Sequence, residues 1–152
     1  MPFHISSPAF AEGETIPERH TGVGANTSPP LTWSGEPEGT NSFALIADDP
    51  DAPGGVWNHW LVWDIPAHLH ALPEDWRPGS AGSTGRNDFG RPGYGGPMPP
   101  KGHGPHRYFF TLYALDRPRL GLPAGSSRAD LDRALAGRTL GQAACMGSFE
   151  RQ

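Results

Sequence analysis

The amino-acid sequence predicts an all-β domain, because it combines many chain-breaking residues with several strand-like segments. The 152 residues include 21 glycines and 18 prolines, while hydrophobic residues make up 36% and charged residues 18% of the chain. Glycine and proline at this density favour short strands joined by shaped turns over a bundle of helices. The length suits one domain, residues 1–152, with one hydrophobic core.

Three segments are typical of β-strands, namely residues 42–47, 59–65 and 107–115. The third reads Arg-Tyr-Phe-Phe-Thr-Leu-Tyr-Ala-Leu, so both of its alternating faces are largely apolar. This pattern predicts a central strand that is covered on both sides. Residues 3–6 and 31–33 are shorter candidate strands.

One helix is predicted near the C-terminus. Ser127 and Asp130 have the spacing of a capping box, and apolar residues between 131 and 135 share one face before Gly137. We expect this helix to pack on the edge of the β-structure. Residues 138–149 fit a helical turn followed by an extended end.

Charge and composition exclude several classes of function. With 12 Lys and Arg against 16 Asp and Glu, the net charge of −4 disfavours a nucleic-acid-binding protein. The single cysteine, Cys145, cannot form an intramolecular disulfide or a cysteine-based zinc site, and we expect a small buried side chain. The sequence has no signal-like start and no apolar run of membrane-spanning length, which predicts a cytoplasmic protein without a membrane span.

Residues 85–106 form the longest segment without strand or helix periodicity, and they are rich in glycine and proline. Irregular loops longer than about 12–15 residues are uncommon in compact domains and are usually functional or disordered. Two aromatic residues and several prolines would stiffen this segment. We therefore predict that it has a function.

Two histidines and one carboxylate are candidates for a binding site. Asp49 follows the first strand, His59 lies at the start of the next, and hairpin-like pairing would bring them close together. His106 begins the strand after the long loop, with Tyr108 on the same face. Imidazoles with an ordinary pKa of about 6.5 can donate to phosphoryl oxygens, and a neighbouring carboxylate fixes the tautomer. The pattern predicts an anion pocket.

Less specific interpretations apply to the other polar residues. A capped turn accounts for any one of the aspartates taken singly. A satisfied residue at a strand end is the preferred interpretation of the histidines without such neighbours, which are His4, His20, His68 and His70. A metal site formed by His103, His106, Asp49 and His59 is a minority interpretation, because His103 lies between two glycines and we expect it to be too mobile to serve as a ligand. No metal site and no cofactor are predicted.

Several motifs, in order along residues 3–150, resemble those of the phosphatidylethanolamine-binding proteins, also called the Raf kinase inhibitor protein family, and in particular its bacterial branch. The motifs are Thr27–Trp33, Asp49–Pro53, His59–Val62, Gly93–Pro97, Pro99–Gly102 and His106–Tyr108. The resemblance implies a Greek-key-like β-sandwich of two antiparallel sheets with a short C-terminal helical segment. It also implies a cavity for phosphate, acetate or a phosphoryl headgroup, and no cofactor.

Carried over position by position, the family's ligand-binding pocket falls on Asp49, Trp57, His59, Pro99, His106 and Tyr108. Within it, Trp57 and Pro99 would form walls. The sequence departs from the bacterial pattern at Met98, where relatives often carry cysteine, so thiol chemistry is not expected at this rim.

Three functions follow as hypotheses. The first is a protein that binds a small phosphorylated or carboxylate anion, a phospholipid headgroup or a phosphoprotein, and that regulates a kinase or another partner. The second is a histidine-dependent hydrolase of a small ester, and the third is a dimeric interaction protein with a vestigial pocket. No nucleophile motif is found, so we expect a binding protein and not an enzyme. A homodimer is expected from the resemblance alone.

Overall fold

The computed structural model describes residues 2–79 and 81–152, and within them the chain is mostly β-structure. The strands are β1 (His4–Ser6), β2 (Leu31–Ser34), β3 (Ser42–Asp49), β4 (Trp57–Pro66), β5 (Ala71–Leu72), β6 (Ser83–Thr84), β7 (His106–Leu115) and β8 (Thr139–Phe149). The helical elements are a 3₁₀ turn (Glu18–His20) and the helix α1 (Arg128–Leu135).

The strands form two antiparallel sheets, as the sequence predicted. The smaller sheet has the order β1-β2-β5 and the larger one the order β6-β4-β3-β7-β8. Strands β3 and β4 form a hairpin, and β7 returns to the other side of β3 after the long segment 85–105, which is a Greek-key type of connection. The larger sheet therefore brings the last residues of β3 and the first residues of β4 and β7 to the same end of the sheet.

The main hydrophobic core lies between the sheets, where Trp33 of the smaller sheet packs edge-on against Phe43 of the larger one at 5.5 Å between ring centroids. Because successive residues of a strand point to opposite faces, Ala44 and Ile46 of β3 belong to a second buried cluster on the outer face. Strand β3 is thus buried on both faces and forms the rigid centre of the domain.

The predicted central strand is confirmed, with one difference in its burial. Strand β7 lies between β3 and β8, and its residues Tyr108 and Phe110 are fully buried. On its second face, Phe109, Thr111 and Tyr113 are only half-buried, so that face is incompletely covered. The apolar pattern of the sequence did not distinguish a covered face from a half-exposed one.

The predicted capping box is present, but α1 does not pack on an edge. The Ser127 hydroxyl accepts the Asp130 N–H at 3.1 Å, and an Asp130 carboxylate oxygen accepts the Ser127 N–H at 3.2 Å. Leu131 and Leu135 pack with Trp63 in the second cluster, on the outer face of the larger sheet. The helix takes this position because that face carries apolar side chains that need a cover.

The prediction of a helical turn in residues 138–149 is wrong. Residues 139–149 form β8, so the extended end is present but the helical turn is not. Strand β8 pairs with β7 from His106 opposite Phe149 to Leu115 opposite Thr139. Without it, the backbone groups along one edge of β7 would lack hydrogen-bond partners, and this tertiary requirement outweighs the helix-like spacing of apolar residues. Cys145 lies within β8 and is buried as predicted, and burial raises the pKa of its thiol to about 12.

Candidate functional site

A cavity lies at the end of the larger sheet where β3 ends and where β4 and β7 begin. Asp49 is the last residue of β3 and pairs with Trp57, the first residue of β4. His59 follows two residues along β4, and His106 opens β7. The sequence had placed Asp49 in the turn after the strand. As a strand residue, it is held by its pairing with β4, while the pairing of β3 with β7 ends one residue earlier, at Asp48.

The cavity has a volume of about 180 Å³, and all six residues of the predicted pocket line it. Met98, which the resemblance placed at the rim, also lines the cavity. Sequence reasoning missed four further lining residues, which are Ala52, Pro53, Phe89 and Pro100. Most of these are apolar side chains in loops, where no periodic pattern marks them.

Asp49 and His106 form a buried pair at the base of the cavity. His106 Nδ1 lies 2.6 Å from Asp49 Oδ2, and the two side chains are 2% and 5% exposed. Because an ionised carboxylate can only accept, the Nδ1 atom carries the proton. The other carboxylate oxygen of Asp49 accepts the backbone N–H of Asp51 at 2.7 Å. Both oxygens are therefore satisfied, and the His106 ring is fixed in one tautomer.

His59 has an uncharged partner instead. Its Nδ1 atom donates to the carbonyl oxygen of Gly95 at 2.6 Å, which leaves Nε2 as the nitrogen that a ligand can use. Burial lowers the pKa of His59, while the Gly95 hydrogen bond and the nearby Asp49 charge oppose this shift. In its neutral form, His59 presents Nε2 as an acceptor; in its protonated form, Nε2 becomes a donor.

Tyr108 lies between the two histidines. Its ring is edge-on to that of His59 at 5.2 Å between centroids and lies 6.5 Å from that of His106. Its hydroxyl is buried and has no hydrogen-bond partner among the described residues. Burial raises the pKa of this hydroxyl, so it keeps its proton and can donate. A buried hydroxyl without a partner is costly in free energy, and a ligand in the cavity could satisfy it.

His103 lies beside His106, a neighbourhood that the sequence suggested only through the minority interpretation of a metal site. We expected it to be too mobile for a role in the site, yet its Nδ1 atom lies 2.6 Å from His106 Nε2. It is exposed, whereas His106 is buried. The i, i+3 spacing of the two histidines indicated that they could be neighbours, but the flanking glycines led us to expect a mobile side chain.

One wall of the cavity is aromatic. Trp57 is 37% and Phe89 42% exposed, and their rings lie edge-on at 5.4 Å. The Asn87 side chain accepts the Phe89 N–H at 3.0 Å and so fixes the start of this loop. A Cβ atom at Gly95 would come within 2.5 Å of the Phe89 ring, so this position requires glycine. An apolar, partly exposed wall suits a ligand that extends beyond its anionic group.

An ion pair at the rim joins the turn after β3 to the start of β7. Arg107 donates from Nε and Nη2 to the two carboxylate oxygens of Asp51 at 3.0 and 2.9 Å. The hydrogen bonds from Arg107 lower the pKa of Asp51 to about 2. The pair holds these two segments together, and the carboxylate of Asp51 neutralises the positive charge of Arg107.

His20 is not a strand-end residue, as the sequence had suggested. It ends the 3₁₀ turn, is fully buried, and its Nδ1 atom lies 2.9 Å from the carbonyl oxygen of Thr27. Its own carbonyl accepts the Tyr94 hydroxyl at 2.5 Å. His20 therefore connects the N-terminal segment to the long loop behind the cavity. In the described part of the chain, the cavity included, no group of three or more His, Cys, Asp or Glu side chains is arranged to hold a metal ion.

Comparison with known proteins identifies the family. A sequence profile described as phosphatidylethanolamine-binding protein matches residues 6–150. The chain belongs to the phosphatidylethanolamine-binding protein family. It is 49% identical over 150 residues to a UPF0098 protein of Aquifex aeolicus, which is 97% of this chain and 88% of that protein. The crystal structure of Escherichia coli YbcL, described as a member of the mammalian family, superposes with a TM-score of 0.92 at 40% identity and 99% coverage of both chains.

Another relative bears on location. A Mycobacterium tuberculosis protein named as a lipoprotein, LppC, is 44% identical over 149 residues, which is 98% of this chain and 73% of that protein. Among the helices in the described residues, none combines the length and the hydropathy needed to cross a bilayer. A cytoplasmic location for this chain stays a prediction from its sequence.

Proposed function

We propose that this protein binds a small anion, through a phosphoryl or carboxylate group, in the cavity between His59 and His106. The observation that carries this proposal is Tyr108, whose side chain lines the cavity and whose buried hydroxyl has no partner among the described residues. An anionic oxygen at hydrogen-bond distance from it would remove an unfavourable buried donor. His59 Nε2 supplies a second contact from the neighbouring strand.

The character of the cavity limits the strength of binding. Its described lining contains no lysine or arginine. The anion would therefore be held by a hydroxyl and by imidazole rather than by a cluster of fixed positive charges. Such a site favours modest affinity and selection by shape, with the aromatic wall of Trp57 and Phe89 beside the rest of the ligand.

A phosphoryl group in this cavity could belong to a free metabolite, a phospholipid headgroup or a phosphoprotein. All three present terminal phosphate oxygens to the same donors, three in a monoester and two in the diester of a phospholipid. Regulation of a kinase or another partner would follow from recognition of a phosphoprotein, with the exposed rim of Trp57 and Phe89 beside the partner. We propose the shared anion chemistry as the function of the cavity.

Calorimetric titration with phosphate, phosphoethanolamine and O-phosphoserine tests the proposal. The key variant is His59→Asn, because an asparagine amide can keep the hydrogen bond to Gly95 while the Nε2 contact is lost. We expect saturable binding by the wild type and at least about tenfold weaker binding by this variant, which is the effect of losing one good hydrogen bond to a charged group. His68→Ala, at an exposed histidine in the turn after β4, is the matched control and should bind like the wild type.

The outcomes separate the competing functions. Absence of binding by the wild type would contradict the proposal and favour an interaction protein with a vestigial pocket. Equal binding by the wild type and His59→Asn would place the anion elsewhere.

We further propose that binding occurs without turnover. A neutral His59 has the free Nε2 of a general base, but the described lining contains no serine, threonine, cysteine or lysine that could act as a nucleophile. We expect no hydrolysis of p-nitrophenyl acetate or p-nitrophenyl phosphate above the rate of the His59→Asn variant. Turnover by the wild type that this variant loses would make the protein a histidine-dependent hydrolase.

A further inference from the structure

We propose that His103 is a latch on the anion site: it occupies the Nε2 atom of His106, and it must leave before His106 can donate to a ligand. This inference rests on the proposed function, because it concerns access to the same cavity. The position of His103 also affects selectivity, because it sets how many hydrogen-bond donors a bound anion can contact.

The contacts of His106 leave no free ring nitrogen. Nδ1 donates to Asp49 at 2.6 Å, and Nε2 lies 2.6 Å from Nδ1 of His103. The His103 and His106 rings are 4.9 Å apart between centroids, at an angle of 63°. An anion that enters the cavity in this arrangement meets the Tyr108 hydroxyl and His59, while the nitrogens of His106 are already engaged within the chain.

The positions of the protons make this contact a competition. Because Nδ1 of His106 carries a proton for Asp49, Nε2 of the neutral ring is an acceptor, and His103 Nδ1 must donate to it. An anion needs a donor, so His106 Nε2 has to carry a proton in order to bind one. That proton and the proton on His103 Nδ1 would then face each other at a distance that fits only one of them. A change of tautomer on His103 would only turn its Nδ1 into the acceptor of that proton, so His103 has to move away before His106 can contact an anion.

The surroundings of His103 allow its ring to move. His103 is exposed and lies between Gly102 and Gly104, whose φ angles are +73° and +86°. The His103 N–H donates to the Pro100 carbonyl at 3.2 Å, which holds the backbone before His103 in a turn. The exposed ring can leave His106 by rotation about its own side-chain torsions.

Opening of the latch would favour phosphoryl groups over carboxylates. A carboxylate has two oxygens, which Tyr108 and His59 can satisfy while the latch is closed. A phosphoryl group has three terminal oxygens, and the third gains a donor only when His106 Nε2 is released. The latch thus sets a cost on phosphate binding that acetate binding does not share.

The test is calorimetric titration of the full chain with phosphate and with acetate at pH 7. In His103→Ala the competing donor is absent, so we expect phosphate affinity to rise about threefold to tenfold, the value of one hydrogen bond. We expect acetate affinity to stay within a factor of about two, because a carboxylate does not need the third donor. His103→Asn keeps an amide N–H near the position of Nδ1 and should stay close to the wild type.

The direction of the change distinguishes the latch from other roles of His103. If His103 attracted the anion through its charge or touched it directly, its removal would weaken phosphate binding. Weaker or unchanged phosphate binding in His103→Ala would therefore overturn the latch while leaving the proposed function intact. If neither the wild type nor His103→Ala binds phosphate, the proposed function itself fails, and the latch fails with it.

Nitrogen-15 NMR of the imidazole rings provides a readout that does not depend on affinity. In the ligand-free wild type, we expect the Nε2 resonance of His106 to have the shift of a hydrogen-bonded acceptor and to change in His103→Ala. Saturating phosphate should move the His103 ring resonances towards those of the exposed His68. A His106 resonance that is the same in both ligand-free proteins would show that the contact does not form in solution and would contradict the latch.

Discussion

The two histidines of the cavity have opposite environments, although they lie on neighbouring parts of one sheet edge. His106 is paired with a buried carboxylate and a second imidazole, whereas His59 has only a backbone carbonyl at 2.6 Å. The carboxylate fixes the proton of His106 at Nδ1. Burial without a charged partner lowers the pKa of His59 and keeps that ring neutral until the pH falls or an anion arrives.

This difference assigns distinct tasks to the two rings. His106 is the better fixed of the two, because both of its nitrogens are hydrogen-bonded within the protein. His59 is the more responsive, because its free Nε2 changes from acceptor to donor with one proton. Residue type alone would have made them equivalent. Their partners make His106 the fixed element of the site while His103 is in place, and they make His59 the ring whose free nitrogen meets a ligand first.

The largest expected effect comes from removal of the carboxylate on the His106 side. Asp49→Ala leaves the Nδ1 proton of a buried ring and the N–H of Asp51 without acceptors. Loss of one partner of a buried pair costs about 3 kcal/mol, so we expect the free energy of unfolding to fall by about that amount. Urea denaturation followed by tryptophan fluorescence measures it.

Asp51→Ala is the matched control for this comparison. Its carboxylate is two residues away and pairs with the exposed guanidinium of Arg107, so its removal should cost less than about 1 kcal/mol. Similar losses of stability in the two variants would mean that burial does not distinguish these carboxylates, and the contrast between the two sides of the cavity would collapse.

The next effect concerns Tyr108, which both rings contact. Tyr108→Phe removes a buried hydroxyl that has no partner among the described residues. We expect the free energy of unfolding to stay unchanged or to rise by up to about 1 kcal/mol, while phosphate affinity falls about tenfold. Thermal unfolding and calorimetric titration provide the two values. A loss of stability in this variant would show that the hydroxyl has a partner within the protein and does not await a ligand.

The sequence predicted the framework of the site better than its details. The fold class, the central strand and the helix cap follow from periodicity, chain-breaking residues and capping chemistry, which act over a few residues. The segment 138–149 was misassigned because its strand conformation depends on the free edge of β7, a partner more than twenty residues away in sequence. Local pattern cannot report such a tertiary requirement.

Within the site, the sequence placed Asp49, His59, His106 and Tyr108 on elements that the structure brings to one cavity. It did not reveal that Gly95 supplies the partner of His59, because a backbone carbonyl has no residue signature. It also set aside His103, since flanking glycines indicate freedom of movement but not where the side chain rests. The hydrogen-bond partners that distinguish the two histidines could therefore be found only from the three-dimensional structure.

The smallest expected effect is the response of stability to pH on the His59 side. Since burial lowers the folded-state pKa of His59 below the ordinary value of about 6.5, the unfolded chain binds more protons than the folded one as the pH falls through this value. The free energy of unfolding should therefore decrease between pH 7 and pH 5.5, by less than about 1.4 kcal/mol per pH unit for one site. His59→Asn cannot titrate and should show a shallower decrease, with His68→Asn as the exposed control. Saturating phosphate should also reduce the decrease, because the bound anion favours the protonated ring. Identical pH profiles for the wild type and His59→Asn would show that His59 is not the group whose protonation changes the stability.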